Sequence, residues 1–367
     1  MKRIVNVRGK IMSAKGACAV IALCAMAATA LPAQPTFTTF EVPGAGTAIT
    51  QGTFGSSINT AGTIAGYYQD AGYVYHGFVR AATGTITTFD AAGAGTGEGE
   101  GTQALSINRA GTLAGYYYDA SHGVHGFVRA ASGAITTFDA PGGGTEGSEG
   151  TFALSINTAG TVAGYDRDAG QVSHGFVRAA SGTITTFDAP GAGTAGREGT
   201  FALSINAAGT IAGYYLDASD VYHGFVRAAS GTITAFEVPG AGQTGEYQGT
   251  VASSINAAGT IAGYWIDGNV VYHGFVRAAS GTITTFDAPD AGTAAFQGTY
   301  AVAINTDGAI AGYYVDASGV YRGFVRTPSG TVTGFASRAF PNSITSGGVT
   351  GAYGDARDVN HGFLLVP

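Results

Sequence analysis

Residues 201–239 read FALSINAAGTIAGYYLDASDVYHGFVRAASGTITAFEVP, and versions of this stretch recur from one end of the chain to the other. The stretch holds four short segments of β character separated by turn residues. Residues 201–206 alternate large and small side chains with period two, and an Ala-Ala-Gly turn leads to residues 210–215. A third segment covers 222–227, and after Ala-Ala-Ser-Gly a fourth covers 232–236. No window sustains apolar residues at helical spacing for three turns, so essentially no helix is expected. Both faces of the segments carry apolar side chains, such as Ile86 and Phe89 in one copy. That suits sheets covered on both sides.

The tripeptide His-Gly-Phe begins at His76, His125, His174, His223, His273 and His361, and Arg322 heads the same motif once. Successive spacings are 49, 49, 49, 50, 49 and 39, which makes seven units. Internal periods of this size point to propellers or solenoids. The ends choose between them. The chain stops with HGFLLVP at residues 361–367, directly after a third segment, while PTFTTFE at 35–41 matches GTITTFD at 84–90. A last unit built from three C-terminal strands and one N-terminal strand closes a ring and leaves no unpaired edge. An open solenoid is expected to carry polar capping units instead. The expected fold is therefore all-β: a seven-bladed β-propeller with four-stranded blades of about 49 residues, closed by the N-terminal strand, over residues 34–367. With the first strand innermost, the second-to-third and fourth-to-next-first connections share one face, where the long, variable pieces lie.

Composition agrees. Sixty-one Gly, 19 Tyr and 20 Phe with 11% charged residues describe a turn-rich β-protein, and exclude a disordered chain. Residues 1–33 are different material. Lys2, Arg3, Arg8, Lys10 and Lys15 precede an apolar run over 17–31, with cleavage expected after Ala30 or Ala33, the pattern of a secretory signal peptide. The run is shorter and more Ala-rich than the roughly 20 strongly apolar residues of a membrane span. Removing it takes both cysteines and all three lysines, and leaves 12 basic against 24 acidic residues. Such an acidic chain disfavours nucleic acid and anionic membranes. The expected location is outside the cytoplasm, extracellular or periplasmic.

Three loops, 142–147, 191–196 and 240–245, fit G-x-G-x-x-G after a strand. Each leads into another strand, so the helix N-terminus that would face a pyrophosphate is missing, and they read as connections. A more regular constellation is an acid six residues before each motif head. The pairs are Asp70 and His76, Asp119 and His125, Asp168 and His174, Asp217 and His223, Asp267 and His273, Asp316 and Arg322, Asp355 and His361. The expectation is that each acid faces its partner across an antiparallel hairpin as a structural pair. Arg322 preserves the donor and is no metal ligand. The alternative is a ring of acids holding a cation such as Ca²⁺, which needs several oxygens at one point. No cofactor is expected. Arg80, Arg129, Arg178, Arg227, Arg277 and Arg326 are expected to pair with the acids ending the fourth strand: Asp90, Asp139, Asp188 and Asp287, with Glu41 and Glu237 as equivalents. The recurring Asn of Ile-Asn opens a tight turn and bonds its backbone.

The run Ile-Asn-x-x-Gly-x-Ile-Ala-Gly-Tyr followed by His-Gly-Phe resembles the bacterial probable extracellular repeat family named for a His-Ala-Phe (HAF) motif, over nearly all of residues 35–367. This chain departs from it with Gly in the middle of the motif and Val-Arg after it, where an aliphatic–Trp pair is common. The resemblance implies export and a repeated β-fold, and brings no catalytic residues.

No nucleophile elbow, zinc-protease motif or thiol nucleophile is present in the repeats. The units differ mainly in loop residues: Glu98, Glu100, Glu146, Glu149, Arg197, Glu246 and Tyr247, together with the single tryptophan, Trp265. These are the candidate ligand-contacting residues of a non-enzymatic binding or surface-interaction module. Its expected partner is a glycan or a cell-surface protein, since equivalent pockets add avidity. The alternatives are a hydrolase or lyase acting on extracellular polysaccharide or lactone with acids on the loop face, and a structural envelope or matrix component.

Overall fold

Twenty-eight β-strands and no helix make up the described residues, 35–366, of the computed structural model of this chain. The expected signal peptide over 1–33 lies outside them. The strands fall into seven antiparallel groups of four. Unit 1 runs Gly52–Ile58, Ile64–Gln69, Tyr75–Arg80 and Ile86–Phe89, each strand paired with the next. Units 2 to 6 repeat it, with inner strands Gly101–Ile107, Gly150–Ile156, Gly199–Ile205, Gln248–Ile255 and Gly298–Ile304. Unit 7 contains Ala339–Thr345, Gly348–Gly354 and Asn360–Val366. Its fourth strand is Thr36–Phe40, which pairs antiparallel from Thr36 opposite Val366 to Phe40 opposite Gly362. The first described strand thus completes the last group.

Two glycines explain the wording of the repeat. A Cβ on Gly77 would stand 2.6 Å from the Phe89 ring, and one on Gly66 would stand 2.1 Å from the Phe54 carbonyl oxygen. Gly in His-Gly-Phe is therefore the flat floor under the fourth strand's aromatic ring. The Phe that follows it is fully buried in every unit, from Phe78 to Phe363.

No unit has a core to itself. One cluster joins Ala65 of unit 1 with Ala104, Ile107, Leu113, Tyr117 and Phe127 of unit 2, and similar clusters lie between the later units. Each group buries its apolar faces only against its neighbours, as stacked repeats do.

The inner strands face a common axis. A bulge between Gly55 and Ser57 turns consecutive residues inward, and the equivalent irregularity recurs in each later inner strand. Ser57 Oγ accepts the Ile107 amide at 3.3 Å, and the same bond recurs at each junction as far as unit 6; it is missing between units 6 and 7, where Ala303 stands in the serine's place, and returns where Ser343 Oγ accepts the Ile58 amide at 3.2 Å. That last bond joins unit 7 to unit 1. A second, open series links the Asn side chains: Asn59 Nδ2 donates to the Asn108 carbonyl, and so on as far as Asn305 in unit 6. Each Asn also holds its own turn through Oδ1, as the sequence suggested for Asn59. Where the Ile-Asn turns of units 1 to 6 meet Ile344 and Thr345 of unit 7, they border a cavity of about 380 Å³.

Loops of two kinds share the opposite face. The Gly99 amide, in a fourth-to-first connection, donates to the carbonyl of Tyr73 in the second-to-third turn, and Arg197 bonds Gln171 in the same way. The long connections are pinned to the hairpin turns beneath them.

Candidate functional site

The repeated acid and histidine do come together, by a different route from the one expected. Register places Tyr68, not Asp70, opposite His76, and their rings stack at 4.9 Å. Asp70 sits in the hairpin turn, where Oδ1 accepts the amides of Gly72 and Val74 and Oδ2 lies 3.6 Å from His76 Nε2. The equivalent separations are 3.3 Å for Asp119–His125, 3.6 Å for Asp168–His174, 3.2 Å for Asp217–His223, 2.8 Å for Asp316–Arg322 and 3.6 Å for Asp355–His361. Asp267 and His273 are the exception. There Asp267 Oδ2 bonds the Asn269 side chain, and His273 lies against Trp265 at 4.2 Å.

Each motif histidine also meets a carboxylate that the sequence had assigned elsewhere, fourteen residues on in five of them and at the other end of the chain for His361. His125 Nδ1 lies 2.8 Å from Asp139, His174 Nδ1 2.8 Å from Asp188 and His223 Nδ1 2.5 Å from Glu237, while His76, His273 and His361 meet Asp90, Asp287 and Glu41. A ring with carboxylates at both nitrogens is best satisfied when doubly protonated. Accordingly the hydrogen bonds that His76 and His223 make to Asp90 and Glu237 raise their pKa values, and the single one to Asp287 does the same for His273. Among the described residues no three His, Cys, Asp or Glu side chains converge as a metal site, and the seven acids stand one per unit around the ring.

Because the histidines take these acids, the expected arginine–acid pairing is corrected. Arg80 lies over the Phe40 ring at 4.9 Å. Arg129, Arg178, Arg227, Arg277 and Arg326 lie over Phe89, Phe138, Phe187, Phe236 and Phe286 at 4.6–4.8 Å. Each arginine crosses from one unit to the fourth-strand phenylalanine of the unit before it. These cation–π contacts clamp six junctions.

Several candidate ligand-contacting loop residues turn inward. Glu100 is buried and Oε2 accepts the Gly97 amide at 2.6 Å; Glu198, which was not among the candidates, does the same for Ala195 at 2.7 Å. Glu149 accepts the Gln171 side chain at 3.0 Å. They brace their own connections, since a buried loop must satisfy its amides. Trp265 is also packed: it joins the cluster of Val238, Ile261 and Phe275, so it offers no open stacking face. Glu98, Glu146, Arg197 and Glu246 remain exposed. Tyr247 is 49% exposed and meets Phe296, 59% exposed, edge to face at 6.3 Å.

One unit departs within its own stack. Unit 3 has Asp166 where Tyr68, Tyr117, Tyr215 or Trp265 stack on histidine elsewhere. Its carboxylate is fully buried with no hydrogen-bond partner among the described residues, and burial pushes its pKa up to about 6.

The larger break in symmetry lies between units 6 and 7. In the other six junctions, eleven residues connect the fourth strand to the next inner strand, as from Asp90 to Glu100. Here the strand Val332–Ser337 is followed by Ala339–Thr345, with Arg338 alone between them. Counted from Phe335 to Ile344 against Phe286 to Ile304, nine of the ten residues that separate the 49- and 39-residue spacings are missing here, and the tenth is missing from the turn before Val349. Without that cover, a cavity of about 350 Å³ opens on the loop face, lined by Tyr321, Arg338, Phe340, Asp358 and Asn360 among others. Tyr321 is 43% exposed and packs against Phe340 at 5.1 Å. Arg338 binds the Asp358 carboxylate and the Asp355 carbonyl, and Asn360 Nδ2 donates to the Thr50 carbonyl at 3.0 Å. An aromatic face, a guanidinium, a carboxylate and an amide thus border one hollow. None of these five was singled out from sequence as ligand-contacting. The signal was the short last spacing, which marks where a loop is missing.

No protein-family model matches the chain, and no curated protein matches it. Among solved structures, it is similar to AofleA from Arthrobotrys oligospora at 16% identity over 82% of this chain and 89% of that one, with a TM-score of 0.47. The lectin BP39L from Burkholderia pseudomallei is similar at 10% identity over 77% and 82%, with a TM-score of 0.49. A puromycin hydrolase is similar at 10% identity over 86% of this chain and 50% of that one, with a TM-score of 0.49. At this distance none of the three carries an argument about what this chain does.

Proposed function

We propose that this chain is an exported seven-bladed β-propeller that binds glycans without transforming them, through the loop-face cavity between units 6 and 7. The hydrogen bonds that run from inner strand to inner strand at six of the seven junctions support reading the seven groups as blades. The cavity itself carries the functional reading. A sugar presents an apolar C–H face and a rim of hydroxyls, and this hollow pairs the Tyr321 and Phe340 rings with the planar polar groups of Arg338, Asp358 and Asn360. Hydrolysis of a glycosidic bond ordinarily uses two facing carboxylates. Asp358 is the one carboxylate among the residues lining this cavity, and Arg338 already pairs with it. That supports binding over hydrolysis.

The leader over 1–33 and the resemblance to extracellular repeats support export. N-terminal sequencing of the chain recovered outside the cell is expected to begin at Leu31 or Gln34, and an intact Met1 there would overturn it. The glycan reading is tested on an array covering neutral, acidic and amino sugars. The expected result is a consistent class of hits weakened at least tenfold by Tyr321→Ala, the loss of one desolvated aromatic contact of about 1.4 kcal/mol. An array blank across all classes, or hits indifferent to Tyr321→Ala, overturns it.

A further inference from the structure

The same junction is open on its other face, by a second and independent change. At six junctions an arginine head lies 4.6–4.9 Å over the preceding unit's phenylalanine. Unit 7 has Leu365 at the arginine position, and among the described residues no guanidinium lies over Phe335 of unit 6, whose ring meets Phe37 at 6.2 Å. A cavity of about 520 Å³ stands there, walled by Phe335, Leu365, Val325, Ile344 and Val349. One carboxylate lines it. Asp307 occupies the turn position held by Ala61, Ala110, Ala159, Ala208 and Ala258 in units 1 to 5. Its carboxylate is exposed and makes no hydrogen bond or ion pair among the described residues.

Removing a cation and adding an anion around one aromatic face changes what the space accepts. A neutral apolar ligand would leave Asp307 unused, and an anion would meet its repulsion. A cation on an apolar stem satisfies both parts: its charge faces Asp307 and Phe335, and its stem covers Val325, Ile344 and Val349. We propose that this turn-face cavity binds a small organic cation, a guanidinium or alkylammonium group on an apolar stem, in the place that the chain's own arginine takes at the other junctions. The site lies at the Asn305 and Thr345 turns, away from the glycan cavity, and stands whether or not that reading does.

The test is calorimetric titration of the chain with butylguanidinium, with 1-pentanol and pentanoate as neutral and anionic probes of similar length. Saturable binding of butylguanidinium is expected, weakened about two- to fivefold by Asp307→Asn and at least tenfold for the other two probes. Leu365→Arg restores the repeat's own residue, so it should fold and fill the cavity; butylguanidinium binding is then lost while the melting temperature holds or rises. Pentanol binding as tightly, or butylguanidinium binding undiminished in Leu365→Arg, overturns the proposal. Tyr321→Ala should leave this binding unchanged, which separates its failure from that of the glycan reading. Acetyl-arginine-methylamide tells the sources apart. Binding equal to butylguanidinium places the cation on a peptide, weaker binding places it on a free amine, and either upholds the cation.

Discussion

The junction between units 1 and 2 and the junction between units 6 and 7 are built from the same strands with different covers. In the first, an eleven-residue connection roofs the loop face and Arg129 lies over Phe89 on the turn face. In the second, Arg338 alone replaces the connection and Leu365 replaces the arginine. The strands and the buried phenylalanines are kept in both, while the serine bond of the first junction, Ile107 amide to Ser57 Oγ, has no counterpart in the second, where Ala303 holds the serine's place. Packing and covering are therefore separable in this repeat. The frame comes from strands that touch their neighbours, and the hollows come from pieces the frame does not need.

The sharpest way to break this comparison is to make the odd junction ordinary. Replacing Arg338 with the eleven residues 287–297 of the unit 5–6 connection is expected to roof the loop-face cavity. Glycan binding should fall below detection in a titration, with the melting temperature lowered by only a few degrees. Retained binding would place the site elsewhere. Removing the frame at an ordinary junction should instead cost stability. Phe127→Ala empties a fully buried site and is expected to lower the unfolding free energy by roughly 3–5 kcal/mol in a urea titration.

Asp166 tests whether a broken copy weakens its unit. Its pKa is raised from 3.8 to about 6 in the fold, so its charged form opposes folding. The penalty is absent below pH 3.8, grows as pH rises through about 6 and is constant above. Asp166→Asn should therefore be stabilising by about 3 kcal/mol at pH 7 and by much less at pH 4. An equal gain at both would reject the cause. Arg129→Leu converts an ordinary junction to the odd one, and is expected to cost about 1–2 kcal/mol. The same change should give the variant a second site for butylguanidinium only if an acid also replaces Ala61. The smallest effect is the pH response of the histidines. The folded-state pKa values of His76, His223 and His273 are raised, so their contribution is full below the unfolded value of 6.5 and is lost as pH climbs through the folded values. Hydrogen bonds that lower Asp119 and Asp217 act at the other end, and their contribution is lost as pH falls below 3.8. With the Asp166 penalty growing from pH 3.8 to about 6, the melting temperature should be highest near pH 4, and a triple His→Gln variant at 76, 223 and 273 should flatten the further fall on the alkaline side.

Much of this was legible in the residues. The period of 49, the four short segments, and the match of residues 35–41 to 84–90 already required seven groups and a closing N-terminal strand. The strands of the quoted stretch, Gly199–Ile205, Ile211–Leu216, Val221–Arg227 and Ile233–Phe236, begin and end within two residues of where the pattern put them. The absence of helix followed from the same periodicity. Partners were less legible. His76 and Asp70 are six apart in every copy, and that regularity hid the Asp90 carboxylate fourteen residues on, which is closer. Glu100 was singled out because it varies between copies, yet its side chain turns under its own loop.

The sequence alone determined the alternation, the repeat and the closure, because each depends on local spacing and on identities that recur. Only the tertiary structure decided which carboxylate a histidine takes, where an arginine head rests and which side chains line a hollow. Those choices depend on depth and on the neighbouring unit: Arg129 has Asp139 ten residues away in sequence and lies instead over Phe89 of the unit before. A cavity is harder still to read from a chain, since it is bounded by residues from several strands and created by the ones that are missing. The 39-residue spacing and Leu365 were visible as exceptions from the start. That they open opposite faces of one junction became visible only when Val332–Ser337 was seen to run through a single arginine into Ala339–Thr345.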